Sequence, residues 1–469
     1  MKAGCILTVD FGSTFTKVTA IDPEAAEIIG TAKAFTTIET DIRDGLSIAM
    51  TELHGQTGPL QYAWQLAASS AGGGLKMVAV GLVPALTAKA ASLAACSAGA
   101  KVVKTYAYEL SAAEQQEIYE INPDLILLSG GTDGGNKEVI LHNAKLLGAI
   151  NREFSVIIAG NKSAAGDVVE ILSRQGKHNI VCGNVMPAFN VLDIMPAKDA
   201  IRALFMEKII EAKGLTQAAA IMSAPIIPTP LAVFEAAQLL AESIGPFMAV
   251  DVGGATTDVY SMCGGAPTLP NVVQKGLPEP FAKRTVEGDL GMRYSLGALV
   301  EAAEDAGKLT GALSKLCETD GDTSVSEKGV YTDFLSQSTS DPSYIPAPDS
   351  QHSQYDQALC EIAIDLATQR HSGTLERVYT PYGETYYQLG KDLSNTKYVL
   401  GLGGPIIYSP NPAALLTNAT TGPGGKEYLK PTKPKYLLDK KYIFAAMGLV
   451  SRVNKGLALK IMEKEITEV

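Results

Sequence analysis

Short apolar runs broken by small, hydroxyl-rich turns recur along this chain. Cys5-Ile6-Leu7-Thr8-Val9 predicts a buried strand that ends at Asp10-Phe11-Gly12-Ser13-Thr14-Phe15-Thr16-Lys17, after which Val18-Thr19-Ala20-Ile21 resumes a strand. The order returns at Phe247–Val250, which leads into Asp251-Val252-Gly253-Gly254-Ala255-Thr256-Thr257-Asp258 and then Val259-Tyr260-Ser261. Each reads as a hairpin of strand, Asp, small turn and strand. A third strand, Tyr398-Val399-Leu400, runs into Gly401-Leu402-Gly403-Gly404-Pro405.

Between the hairpins, from about 75 to 187, the pattern changes. Strands at Met77–Val80, Lys101–Tyr106, Leu125–Ser129, Val156–Ala159 and Ile180–Cys182 alternate with helices at Pro84–Ala98, Ser111–Glu120, Lys137–Leu147 and Ala164–Arg174. Ser111 and Glu114 make a capping box. The alternation predicts a doubly wound parallel sheet. Its loop Gly130–Lys137 fails both Walker and G-x-G-x-x-G spacing and suits a tight strand-to-helix turn. Further on, helices are expected at Ile201–Lys213, from Thr229-Pro230 to about Ser243, at Gly288–Ala306, Gln357–His371 and Tyr442–Lys464. Arg377–Lys391 predicts a hairpin turning at Tyr382-Gly383-Glu384, and Asp320–Ser353 an exposed loop.

At 469 residues more than one domain is expected, and 46% hydrophobic against 19% charged content marks a packed protein. A net charge of -11 without a basic run argues against nucleic acid. The six cysteines show no C-x-x-C spacing, and the five histidines no metal spacing, so reduced thiols in a cytoplasmic protein are expected. No signal-like segment opens the chain and no apolar run approaches a bilayer span, so no membrane partner is expected.

The chemistry concentrates in the hairpins. Glycines leave no Cβ between backbone and ligand, and amides and hydroxyls donate to phosphate oxygens. Candidate phosphate contacts are Gly12, Ser13, Thr14 and Lys17 in the first hairpin and Gly253, Gly254, Ala255, Thr256 and Thr257 in the second. Asp10 and Asp251, at strand ends, suit a magnesium ion held through water. Gly401, Gly403, Gly404 and Pro405 would let backbone lie flat against a purine or ribose. Two hairpins about half the chain apart suggest two similar lobes closing on one nucleotide.

These three elements resemble the phosphate-1, phosphate-2 and adenosine motifs of the actin, Hsp70 and sugar-kinase ATPases, in that order. With Ala67–Leu75, Ser129–Asn136 and Thr285–Arg293, the chain resembles the glutamate mutase accessory family, called MutL or GlmL. The resemblance covers essentially the whole chain. It implies an α/β fold: a two-lobed, actin-like (ribonuclease H-like) ATPase with an inserted doubly wound parallel-sheet domain. The implied segments are 1–74 for the first part of lobe I, 75–187 for the insertion, and 188–469 for the remainder of lobe I and lobe II.

The implied function is that of an ATP-dependent, chaperone-like factor that reactivates an adenosylcobalamin-dependent carbon-skeleton mutase, of amino-acid or glutamate type, by letting inactive cobalamin leave. ATP, ADP and Mg2+ are the expected cofactors, and self-association is left open. Catalytic candidates are Asp10, Asp251 and Asp258, with Asp258 alternatively a salt-bridged residue. Glu287 and Asp289 stand behind them, their plainer reading being acids at a helix N-terminus. The inserted segment looks like a cobalamin-binding domain, but Leu82-Val83-Pro84-Ala85 replaces the loop that would carry the cobalt-ligating His. It is therefore expected to mimic such a domain, not to hold cobalamin. A small-molecule kinase on the same scaffold is the alternative function, and a filament-forming protein a third; the scattered cysteines speak against an iron–sulfur activator.

Overall fold

The computed structural model describes residues 2–12, 15–37, 41–70, 76–97, 101–212, 215–311, 324–381, 383–422 and 427–469. The chain forms two compact units, Met1–Glu235 with Gly448–Leu457, and Ala236–Met447 with Ala458–Val469.

Unit 1 opens with β1 (Lys2–Phe11), β2 (Phe15–Asp22), β3 (Glu27–Phe35), α1 (Ile42–Thr57) and β4 (Leu60–Ser69). β1 to β3 pair antiparallel, and β4 lies parallel to β1 on its other side. β5 (Lys76–Gly81), α2 (Lys89–Ser97), β6 (Lys101–Ala107), α3 (Ala112–Ile121), β7 (Leu125–Leu128), α4 (Glu138–Ala149), β8 (Ser155–Ile158), α5 (Ala165–Arg174) and β9 (His178–Val181) follow. These five strands make one all-parallel sheet in the order β6-β5-β7-β8-β9.

Val78, Val80, Ile126, Leu128, Val156 and Ile158 pack with Ile118, Ile140, Ala144 and Leu172 from α3 to α5. The alternate residues Met77, Ala79, Leu125, Leu127 and Ile157 are equally buried. Both faces are covered, which is why these strands read as unbroken apolar runs. The expected capping box forms: Ser111 Oγ accepts from the Glu114 amide, and the Glu114 carboxylate accepts from the Ser111 amide at 2.8 Å. The expected Pro84–Ala98 helix is split into a π-turn over Pro84–Ala88 and then α2.

After α6 (Met195–Ala212) and α7 (Leu215–Ala219), β10 (Ile227–Pro228) adds parallel to β4, and α8 (Thr229–Ile244) carries the chain onward.

Unit 2 contains β11 (Phe247–Val252), β12 (Thr257–Met262), β13 (Val272–Lys275), β14 (Ala282–Glu287), α9 (Leu296–Asp305), β15 (Thr374–Thr380), β16 (Gly383–Leu389), β17 (Tyr398–Leu402), β18 (Lys435–Leu438) and β19 (Thr467–Glu468). Its main sheet runs β14-β12-β11-β17-β18-β19. The pattern of unit 1 recurs: β14, β12 and β11 pair antiparallel, and β17 and β18 continue in parallel, as β3, β2 and β1 are continued by β4 and β10. The hairpin over β15 and β16 matches expectation, although its turn residue Tyr382 lies outside the described residues.

Three expectations are corrected. The polar stretch expected as a loop contains the helix Ser324–Ser340, because Val330, Tyr331, Phe334 and Leu335 recur at helical spacing and pack into the unit 2 core. The C-terminal helix is two helices, Phe444–Ser451 and Lys455–Glu465; Asn454 Oδ1 accepts from the Leu457 amide and caps the second. Only Leu296–Asp305 of the expected Gly288–Ala306 helix is helical, since the residues before it are bonded to the second hairpin.

Candidate functional site

In the first hairpin the β1/β2 register places Asp10 directly opposite Lys17. Ser13 and Thr14, both phosphate candidates, lie outside the described residues. The Gly12 amide donates to the carbonyls of Asp10 at 3.0 Å and Phe15 at 3.1 Å, closing the turn. A Cβ on Gly12 would stand 2.5 Å from the Phe15 oxygen, so the turn needs glycine. Thr16 is fully buried, its Oγ1 3.1 Å from that of Thr36.

Asp10 is half-buried and its Oδ1 accepts from Thr229 Oγ1 at 2.5 Å. Burial raises its pKa above the ordinary carboxylate value, against the opposing pull of Lys17 and the Thr229 hydroxyl. Its other oxygen accepts no hydrogen bond among the described residues. The sequence reading placed Thr229 only as a helix cap; its pairing with β1 depends on β10 joining β4, which no local pattern reports.

The second hairpin repeats this geometry. Asp251 pairs with Asp258, and the Gly253 amide donates to the Thr256 carbonyl at 2.9 Å. The carbonyls of its turn are tied back by the segment 292–295. Met292 N donates to Gly253 O at 3.0 Å, Arg293 N and Tyr294 N both donate to Gly254 O at 2.8 Å, and Ser295 Oγ donates to Ala255 O at 2.8 Å. The amides of Gly254, Ala255 and Thr256 donate to no acceptor among the described residues. Consecutive amides without carbonyl partners form the kind of concavity that binds anions. Gly291 closes the support, since a Cβ there would lie 2.3 Å from the Ala255 carbonyl carbon.

The hydroxyls of this turn are otherwise engaged. Thr257 is fully buried and donates to Leu290 O at 2.6 Å, and Thr256 donates to Asp258 Oδ2 at 3.0 Å. Arg284, itself buried, contacts Asp258 Oδ1 through Nε at 2.8 Å and Nη2 at 2.6 Å. With both oxygens occupied, Asp258 has the geometry of the salt-bridged alternative and not that of a group poised on water. Glu287 and Asp289 do not stand at a helix N-terminus, as the helix begins at Leu296. Both bind Arg370: Nη1 reaches Glu287 at 2.9 Å and Asp289 at 2.7 Å, and Nη2 reaches Asp289 at 2.8 Å. Burial raises the Glu287 pKa, with Arg370 opposing.

The third turn touches the second hairpin within unit 2. β17 lies parallel to β11, with Leu402 opposite Asp251. Gly403 has φ +83°, and a Cβ on it would lie 2.2 Å from Val252 O and 2.7 Å from Asp251 Oδ1. Gly404 and Pro405 begin the short helix Gly404–Ile407. Gly401 plays a different part from the one expected. It sits inside β17, and a Cβ there would lie 2.7 Å from Ile406 Cγ2, so its size serves core packing.

Within unit 2 the amides of Gly254, Ala255 and Thr256, without acceptors among the described residues, are donors of the kind that meets phosphate oxygens, and Asp10 in unit 1 and Asp251 in unit 2 each lead a hairpin. Among the described residues no three His, Cys, Asp or Glu side chains group as a metal cage. Cys5, Cys263 and Cys360 are buried and Cys182 is half-buried; Cys96 and Cys317 fall outside the side chains described. No described helix is long and apolar enough to cross a membrane.

A family model described as MutL protein matches residues 6–466. The Protein MutL of Clostridium tetanomorphum is 44% identical over 472 residues, spanning 99% of both chains. Among solved structures, component A of (R)-2-hydroxyglutaryl-CoA dehydratase from Acidaminococcus fermentans aligns over 99% of both chains at 9% identity and a TM-score of 0.32. A xylulose kinase from Bifidobacterium adolescentis aligns over 99% of this chain and 94% of its own at 12% identity and a TM-score of 0.34. Both structural likenesses are remote.

Proposed function

The chain belongs to the MutL protein family, and from that membership we propose an ATPase that acts as a chaperone-like reactivating factor for an adenosylcobalamin-dependent carbon-skeleton mutase. The observation that carries the ATPase reading is the second hairpin, where three carbonyls are bound and three successive amides have no acceptor among the described residues. The strand pattern common to the two mixed sheets, each with an Asp-led hairpin, supports a two-lobed actin-like architecture. The family resemblance supports the mutase as partner.

In this reading the amides of Gly254, Ala255 and Thr256 hold phosphate oxygens, and Lys17 adds a cation on the first hairpin. Catalysis of phosphoryl transfer is mostly positioning and charge neutralisation. Magnesium, when bound, offsets the negative charge of the phosphates. Asp10 and Asp251, each leading the hairpin of its own unit, are the carboxylates that would hold magnesium through water, and Thr229 fixes the Asp10 carboxylate. Asp258 keeps β12 and β14 in place through Arg284. Gly403 lets the third turn lie against Asp251, next to the phosphate contacts.

The test is ATP turnover by the full chain with no added acceptor, with and without a cobalamin-inactivated mutase. Release of ADP and phosphate, faster with the inactive mutase, supports the proposal. Phosphoryl transfer to a metabolite in place of water would overturn it.

A further inference from the structure

Unit 1 also carries a pocket of about 190 Å³. Its apolar wall is Ala203, Pro225, Ile227, Pro228 and Leu231, and two arginines, Arg202 from α6 and Arg452, complete its lining. The charge around it is unbalanced. Arg452 is satisfied by Glu235, with Nε on Oε2 and Nη2 on Oε1, both at 2.7 Å. Among the described residues Arg202 is left with long ion-pair contacts, 3.8 Å to Glu235 and 3.9 Å to the mostly exposed Asp199. Its Nε is buried with no hydrogen-bond partner among the described residues.

One helical turn before Arg202, Lys198 is 93% buried by the 7% of its surface left exposed. Its ammonium lies 5.3 Å from the centroid of the Phe234 ring and meets no acceptor among the described residues. Burial and Arg202 push the Lys198 pKa down to about 8, against Glu235 and Asp199. Three cations therefore share two carboxylates, one of them largely in solvent. Leaving charged donors buried and unmatched is costly unless an anion completes them.

We propose that this pocket binds a small organic carboxylate, its charged end between Arg202 and Arg452 and its apolar body on Ile227, Pro228 and Leu231. The flat guanidinium fork matches a carboxylate in two-point contact. The volume is of the order that accepts a benzene-sized body, for which a cavity of about 150 Å³ suffices. The apolar wall disfavours a bare inorganic anion, which would leave it dry and unfilled.

The test uses the full chain and titration calorimetry with three probes: benzoate, benzyl alcohol of the same shape without the charge, and inorganic phosphate. Benzoate is expected to saturate one site, with benzyl alcohol at least about tenfold weaker, as loss of a charge-assisted contact implies. Arg202→Met should weaken benzoate at least about tenfold. Ala203→Leu keeps both arginines and crowds the pocket from its lining; it should also abolish binding, and it decides the matter if Arg202→Met fails to fold. Phosphate binding as tight as benzoate, absence of saturable benzoate binding, or benzoate binding unchanged in Ala203→Leu would each overturn the proposal.

Discussion

Thr229 Oγ1 donates to Asp10 Oδ1 at 2.5 Å across 219 residues of sequence. The bond joins the first residue of α8 to the strand end that leads the first hairpin, and it stabilises the ionised carboxylate that burial disfavours. Two long-separated pieces of chain thus set the protonation of one candidate magnesium-orienting group.

Replacing Thr229 with Val keeps the shape and removes this donor. A hydrogen bond to a charged group contributes about 1.5–3 kcal/mol, and about 1.4 kcal/mol corresponds to one pKa unit. The Asp10 pKa, already raised, should rise by about one to two units further. If Asp10 works ionised, the acidic limb of the ATP turnover profile should move to higher pH by that amount, and Thr229→Ser should restore it. A profile that keeps its limb in Thr229→Val would separate Asp10 from catalysis.

Asp258 and Arg284 are a buried ion pair, with side chains 11% and 3% exposed. Removing one partner of such a pair costs about 3–5 kcal/mol, because the other charge stays buried and unmatched. Arg284→Met should therefore lower the calorimetric transition of unit 2 sharply, and adding Asp258→Asn should recover part of the loss. Costs of Arg284→Met and Asp258→Asn that simply add in the double variant would show that the pair is not coupled.

How far the sequence reveals this site depends on the range of the interactions involved. The hairpins are legible because Asp, glycine and apolar strand residues are neighbours in sequence, and the register Asp10 to Lys17 and Asp251 to Asp258 follows from the turn. The parallel sheet β5 to β9 is legible because each strand and helix announces itself locally. Arg284, Arg370 and Thr229 are not, since each meets its partner only after the sheet is assembled. Composition misled at Ser324–Ser340, where a polar helix buries only a narrow stripe led by Phe334. At Gly401 a glycine-rich turn and a core strand look alike in sequence, and only Ile406 and Leu416 against the missing Cβ distinguish them.

Gly291 supports the second hairpin without belonging to it. A methyl group there would fall 2.3 Å from the Ala255 carbonyl carbon, so Gly291→Ala must displace the turn whose amides are the phosphate candidates. Overpacking of this kind costs about 1–3 kcal/mol. Nucleotide affinity, measured by calorimetry, should fall by about tenfold or more, as 1.4 kcal/mol implies. Gly297→Ala is the control: it lies on the exposed face of α9 with nothing within 4 Å, and should leave affinity unchanged while stabilising by about 0.4–1 kcal/mol.

His371 gives unit 2 a dependence on acid. It is fully buried, with Nε2 2.8 Å from Ser261 Oγ and Nδ1 2.8 Å from Thr285 Oγ1. Lys283 Nζ donates to its carbonyl at 2.6 Å, Lys391 is bonded to the same Ser261, and Glu279 pairs with Lys283. Burial, then Lys283 and Lys391, hold the His371 pKa well below 6.5. The unfolded chain takes up a proton below about 6.5 that the folded chain refuses, so stability present above that pH is lost as pH falls, by about 1.4 kcal/mol per pH unit. Lys391, pushed down to about 8 chiefly by burial, acts in a separate window: its stabilising effect is lost between about 10.5 and 8 as pH falls and is constant below. His371→Gln can keep both hydroxyl contacts and cannot titrate. Thermal unfolding from pH 7 to 5 should therefore decline less steeply in His371→Gln than in the parent, with the two curves parallel from pH 8 to 10. Curves that stay parallel below pH 6.5 would mean that His371 does not set the acid limit.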